Sequence, residues 1–93
     1  MIIGVVELHF LIPGARSLKD KRRVMTSLKQ LLRNRYNCSV AETDHEELWG
    51  RAQLAVCIVA REAGHAREQL DKVVRFAETN AGAELVDHDI ELL

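Results

Sequence analysis

Eight basic side chains, Arg16, Lys19, Lys21, Arg22, Arg23, Lys29, Arg33 and Arg35, fall within one short stretch whose only acid is Asp20. The stretch carries a local charge of +7 in a chain whose net charge is −1, so the remainder stands at −8. Clustered long cations are what a polyanion-binding surface needs, because each one that neutralises a phosphate releases a condensed counterion. At 100° per residue, Leu18, Val24, Met25, Leu28, Leu31, Leu32 and Tyr36 fall on an arc of about 140°. Arg22, Lys29 and Arg33, with Lys19 and Arg23, fall on the opposite side. This placement opposes local electrostatics. The cations crowd the positive end of the helix macrodipole, and Lys19–Arg23 and Lys29–Arg33 are like-charged i,i+4 pairs costing a few tenths of a kcal/mol each. Core packing carries so small a cost. The face is then either a solvated surface that happens to be cationic, or an anion surface. In the second reading the amides of Leu18, Lys19 and Asp20 join Arg16, Lys19 and Arg22 around a phosphate.

Other candidate chemistries are weaker. Glu42, Asp44, His45, Glu46 and Glu47 form an acidic run with one imidazole; in an alternating strand Glu42 and Asp44 share a face, next to His45. Such runs more often end an edge strand and solvate a turn, so no metal is expected. His9 and His88 both fall in strands and would meet only if a ladder aligned them; a structural role is expected of each. Cys38 and Cys57 form no CxxC and read as reduced structural thiols. There is no Gly-rich phosphate loop, no GxSxG and no HExxH. No cofactor and no catalytic constellation are predicted, which makes the chain a non-enzymatic one.

The elements that position these residues follow from pattern. Pro13-Gly14 is turn chemistry. Ser17 is an N-cap, and Asp20 three residues on completes an Asp variant of the capping box. The helix therefore begins at Leu18 and runs to about Tyr36, with Asn37 as a left-handed stop. Ile2 to Ile12 alternates as a strand; with the Ile2 face on the helices, Ile3, Val5, Glu7, His9 and Leu11 lie on the open side. Cys38 to Asp44 is a second, short strand, His45 to Gly50 a turn, and Arg51 to Arg61 a third strand. Trp49 is expected to pack and close the end of the sheet. A second helix spans about Gly64 to Asn80, its charges paired at i,i+4 (Glu68 with Lys72, Asp71 with Arg75). Glu84 to Leu92 is a fourth strand, with Val86, His88, Ile90 and Leu92 alternating.

The order β-α-β-β-α-β predicts an α+β, ferredoxin-like fold: a four-stranded antiparallel sheet with two helices on one face. Strands one and three are the most continuously apolar and should be central; two and four are broken by charge and should be edges. Ninety-three residues suffice for one domain, residues 1–93. Its 47% apolar content opposes disorder, and no run approaches the ~18 apolar residues of a membrane span. The start of the chain does not read as a signal peptide, so a cytoplasmic location is expected.

The fold supplies its own tests of function. An RNA-recognition motif stacks bases on aromatics of the open face of strands one and three, and no Phe, Tyr or Trp stands on that face. A metallochaperone carries CxxC in the loop after strand one, where this chain reads Pro13-Gly14-Ala15-Arg16. Acylphosphatase has a Gly-rich anion loop and an Arg in that place; Arg16 is present, but the loop pattern is not. The open face is apolar enough at Ile3, Val5, Leu11 and Val59 to suggest a homodimer or a protein partner.

The chain resembles the YlxP-like family, a bacterial family of unknown function. The resemblance covers nearly the whole length and is carried by Gly14-Ala15-Arg16-Ser17-Leu18-Lys19-Asp20-Lys21-Arg22, by Asn37 to Asp44, and by Leu48-Trp49. It implies a ferredoxin-like fold. Genes of the family often lie near those of translation factors and a ribosome-binding factor, which implies a ribosomal or RNA-related role. The expectation is an RNA- or ribosome-associated binding module, binding ribosomal or structured RNA through Arg16, Lys19, Arg22, Arg23, Lys29 and Arg33. The alternative is a homodimeric protein-interaction or small-anion-binding module.

Overall fold

Successive side chains of a strand point to opposite faces, and burial alternates in that way along the apolar strands β1 (Ile2–Leu11) and β3 (Arg51–Ala60). The computed structural model describes residues 1–45 and 47–93. Around these strands are α1 (Leu18–Arg35), β2 (Ser39–Asp44), α2 (Ala63–Glu78) and β4 (Glu84–Leu92). All pairings are antiparallel, in the order β2-β3-β1-β4, so the fold is ferredoxin-like with the apolar strands central and the charged ones at the edges. Val6, Leu8 and Phe10 of β1 and Leu54 and Val56 of β3 meet Met25, Leu28 and Leu32 of α1 and Leu70 and Val73 of α2 in one buried core. Gly4 lets Leu70 of α2 come close to the sheet: a Cβ there would stand 2.9 Å from Leu70 Cδ1.

The start of α1 is where the cap places it. Ser17 Oγ accepts the Asp20 amide at 3.1 Å, and the Asp20 carboxylate accepts the Arg16 amide at 3.0 Å. The return bond thus reaches one residue beyond the N-cap. Ser17→Ala should lower stability by about 1 kcal/mol, read as a reduced urea midpoint with an unchanged slope; an unchanged or raised midpoint would show that the cap contributes nothing.

The far end of α1 corrects the expected stop. Tyr36 is extended (φ −128°), its amide donating to the Leu32 carbonyl, and the one positive φ outside glycine among the described residues is at His45, not Asn37. Tertiary anchoring replaces a left-handed cap. The Tyr36 ring packs edge-on to Phe76 with centroids 6.0 Å apart, its hydroxyl donates to the Lys72 carbonyl, and the Arg35 guanidinium lies 4.8 Å over the Phe76 ring.

Three further departures follow from register and packing. Leu31, expected in the buried arc, is half-exposed at the rim of α1. A register shift between His9 and Phe10 sets Leu85 opposite Phe10, so Val86 leaves the alternation and is exposed. On α2 the Glu68–Lys72 pair forms at 3.5 Å; among the described residues Asp71 and Arg75 make none.

Candidate functional site

The corner where β1 turns into α1 is built around a lysine. At 100° per residue Lys21 falls inside the apolar arc with Met25, Leu28 and Leu32, and it is 2% exposed. A buried ammonium needs a partner. It finds Glu42 of β2, with Nζ 3.0 Å from Oε2 and the Glu42 side chain 16% exposed, and it also donates to the His45 carbonyl. His45 presents that carbonyl from a left-handed conformation, φ 62°, with its amide bonded to Asp44 Oδ1 at 2.8 Å. At the other end of the β2–β3 loop, the Ile12 amide donates to the Gly50 carbonyl at 2.9 Å. The loop is therefore tied to both arms of the β1–α1 connection. Lys21 does not belong to the cationic surface.

This arrangement dissolves the expected acidic grouping. Glu42 pairs opposite Leu54 on the helix side, and a bulge then sets Asp44 opposite Gln53, so the two do not share a face. Glu46 lies outside the described residues. Among those described, no three His, Cys, Asp or Glu side chains gather as metal ligands.

The six cations expected to bind an anion divide. Arg16, Lys19, Arg22 and Arg23 are exposed, and among the described residues none forms an ion pair. Lys29 is half-buried. Arg33 is committed to structure: its Nη2 donates to the Val40 carbonyl on the outer side of β2 at 2.8 Å. Beside it, burial pushes the Cys38 thiol above its ordinary pKa while the Arg33 charge pulls the other way. Cys38 and Cys57 are both free thiols.

Of the three helix-terminal amides expected to form a cradle, one is already engaged. The Asp20 amide is taken by Ser17, and the Asp20 carboxylate occupies the helix start. The neighbouring groove, about 500 Å³ and walled by Ile12, Pro13 and Val24, has Asp20, Glu78 and Glu84 among its lining residues and no Lys or Arg. A phosphate would meet like charge there, so the anion-binding potential of this corner lies in the exposed side chains.

On the open sheet face, Ile3 stands opposite Val59 and Val5 opposite Cys57 at one end, while Leu11 stands opposite Arg51 at the other. Between them Glu7 accepts from Gln53 Nε2 at 3.2 Å, and Gln53 also donates to Thr43 Oγ1. Asp87, Asp89 and Glu91 pair with His9, Glu7 and Val5. The expected apolar patch is thus split, and an acidic stripe runs beside it. His9 and His88 do not meet: His88 pairs with Leu8, on the other side of the sheet from His9.

Trp49 is the largest correction. Instead of closing the sheet it is 54% exposed, with Leu48 half-exposed beside it. Ile12 and Ala52, both buried, already fill that end of the core, and the Gly50–Ile12 bond holds the loop outside them. Sequence reasoning also missed Lys21, although its position inside the apolar arc was a usable signal.

Comparison with known proteins places the chain among uncharacterised relatives. A family model described as a protein of unknown function (DUF503) matches residues 3–90. The uncharacterized protein YlxP of Bacillus subtilis (strain 168) is 27% identical over 78 residues, 84% of this chain and 85% of that protein.

Proposed function

Because the chain belongs to the DUF503 family, whose function is unknown, no activity passes to it from a relative, and we propose that it is a non-enzymatic RNA- or ribosome-associated binding module acting through the first half of α1. The observation that carries this reading is the exposure of Arg16, Lys19, Arg22 and Arg23 without an ion pair among the described residues. The open sheet face bears Asp87, Asp89 and Glu91, so the two surfaces have opposite charge and a polyanion would be steered to the helix side. A cytoplasmic location goes with this reading. Co-sedimentation with ribosomal subunits at two salt concentrations, with and without nuclease, tests it. Binding should fall steeply with salt and disappear after nuclease treatment; saturable binding that survives both would overturn the proposal in favour of a protein partner.

A homodimer is the second reading, supported by Val59, 67% exposed, opposite Ile3 and next to the Val5–Cys57 pair. Val5→Lys or Val59→Lys should weaken self-association at micromolar concentration, because the interface would have to bury an unpaired charge. A sharp monomer for the unmodified protein throughout a sedimentation-equilibrium series would remove this reading.

A further inference from the structure

We infer that Trp49 is a base-stacking residue, giving the cationic corner a preference for single-stranded over duplex RNA. The inference rests on the RNA-binding reading and names the form of RNA it takes. Trp49 has more than half its surface in water, an unfavourable place for an indole with no partner, since its apolar area stays hydrated. Its backbone is not adrift. The loop is held at His45 by the Lys21 ammonium, adjacent in sequence to Arg22, and at Gly50 by Ile12, which begins the short connection to Arg16. Trp49 and half-exposed Leu48 therefore stand between two anchors, at the same end of the molecule as the first turn of α1. A platform whose backbone is tethered on both sides loses less conformational freedom when a base settles on it.

The charge beside the platform selects its occupant. Arg16, Lys19, Arg22 and Arg23 neutralise phosphates without reading sequence, and an indole face stacks any base that a duplex has not already sequestered. Single-strand binders combine these two elements, a cationic track and an aromatic on which a base rests. The sheet is a poorer platform, being acidic along β4 and without Phe, Tyr or Trp on the open faces of β1 and β3. An acidic protein partner would also use the cations; the titration below tells the two apart, because it offers bases and no protein.

Trp49 is the only tryptophan in the chain, so its fluorescence reports this position alone. Titration with a short mixed-sequence single-stranded oligoribonucleotide should quench it, saturating in parallel with binding measured by anisotropy. Heparin, a polyanion without bases, should bind without that quench. The same oligonucleotide annealed to its complement should bind more weakly. Trp49→Leu should retain its circular dichroism and thermal transition but lose roughly tenfold or more in single-strand affinity. Its salt slope should not change, because no phosphate contact is removed, and Trp49→Phe should recover part of the loss. Unchanged affinity in Trp49→Leu, or saturated binding without quenching, would overturn the inference. If the cations prove necessary and Trp49 does not, stacking fails while the basic-helix reading stands. If the unmodified protein binds no RNA, both fall.

Discussion

Replacing Lys21 by Ala should remove about 3–5 kcal/mol of folding stability, the usual consequence of leaving a buried charge without its partner. Two groups lose their donor together: the Glu42 carboxylate, 16% exposed and 3.0 Å from Nζ, and the His45 carbonyl. A domain of this size has only about 5–15 kcal/mol in total, so the variant should unfold at a much lower urea concentration. The partner matters more than the charge itself. Lys21→Met with Glu42→Leu should recover most of the stability, since an apolar pair of similar volume fills the site without desolvating ions. A double-mutant cycle from urea melts gives the coupling directly. A loss in Lys21→Ala no larger than that of an ordinary surface substitution would show that the pair is not buried in solution. A Lys21 variant that remains folded should also release the β2–β3 loop at His45, and with it the placement of Trp49.

The fourfold variant Arg16→Gln, Lys19→Gln, Arg22→Gln, Arg23→Gln should separate function from fold. These side chains are exposed and, among the described residues, hold no ion pair, so the melting transition should be unchanged or slightly raised as the Lys19–Arg23 repulsion goes. RNA affinity should collapse. Each lost phosphate contact removes roughly 0.7–0.9 from the log–log salt slope, so four flatten it by about 3 units. The loss should be similar across RNA sequences of the same shape, because phosphate contacts carry no sequence information. Arg33 makes a poor member of such a set. Its bond to the Val40 carbonyl means that Arg33→Gln perturbs the edge of β2 as well as the charge. Normal affinity and slope in the fourfold variant, with folding intact, would leave the cationic face as ordinary solvated surface.

What the sequence determined by itself was local or periodic. The alternation of Val6, Leu8 and Phe10 is a period-two signal that a buried strand face produces, and the continuous apolar runs of β1 and β3 placed those two strands at the centre. Ser17 and Asp20 cap α1 through bonds spanning three and four residues, so the helix start was legible at that distance too. What tertiary structure alone decided depends on partners far apart in the chain. The place of Lys21 inside the apolar arc hints at burial, but its partner is settled only when β2 brings Glu42 beside it. Arg33 reads as a free cation until the outer side of β2 offers the Val40 carbonyl, and Val86 reads as core until a register shift turns it outward. Trp49 belongs with these. Large aromatics usually fill gaps in a core, but whether one is needed depends on how Ile12 and Ala52 pack, and here both are buried while Trp49 stays exposed. Periodicity reports which face of an element is buried, whereas the fate of one charged or aromatic side chain depends on the single group that the fold sets opposite it.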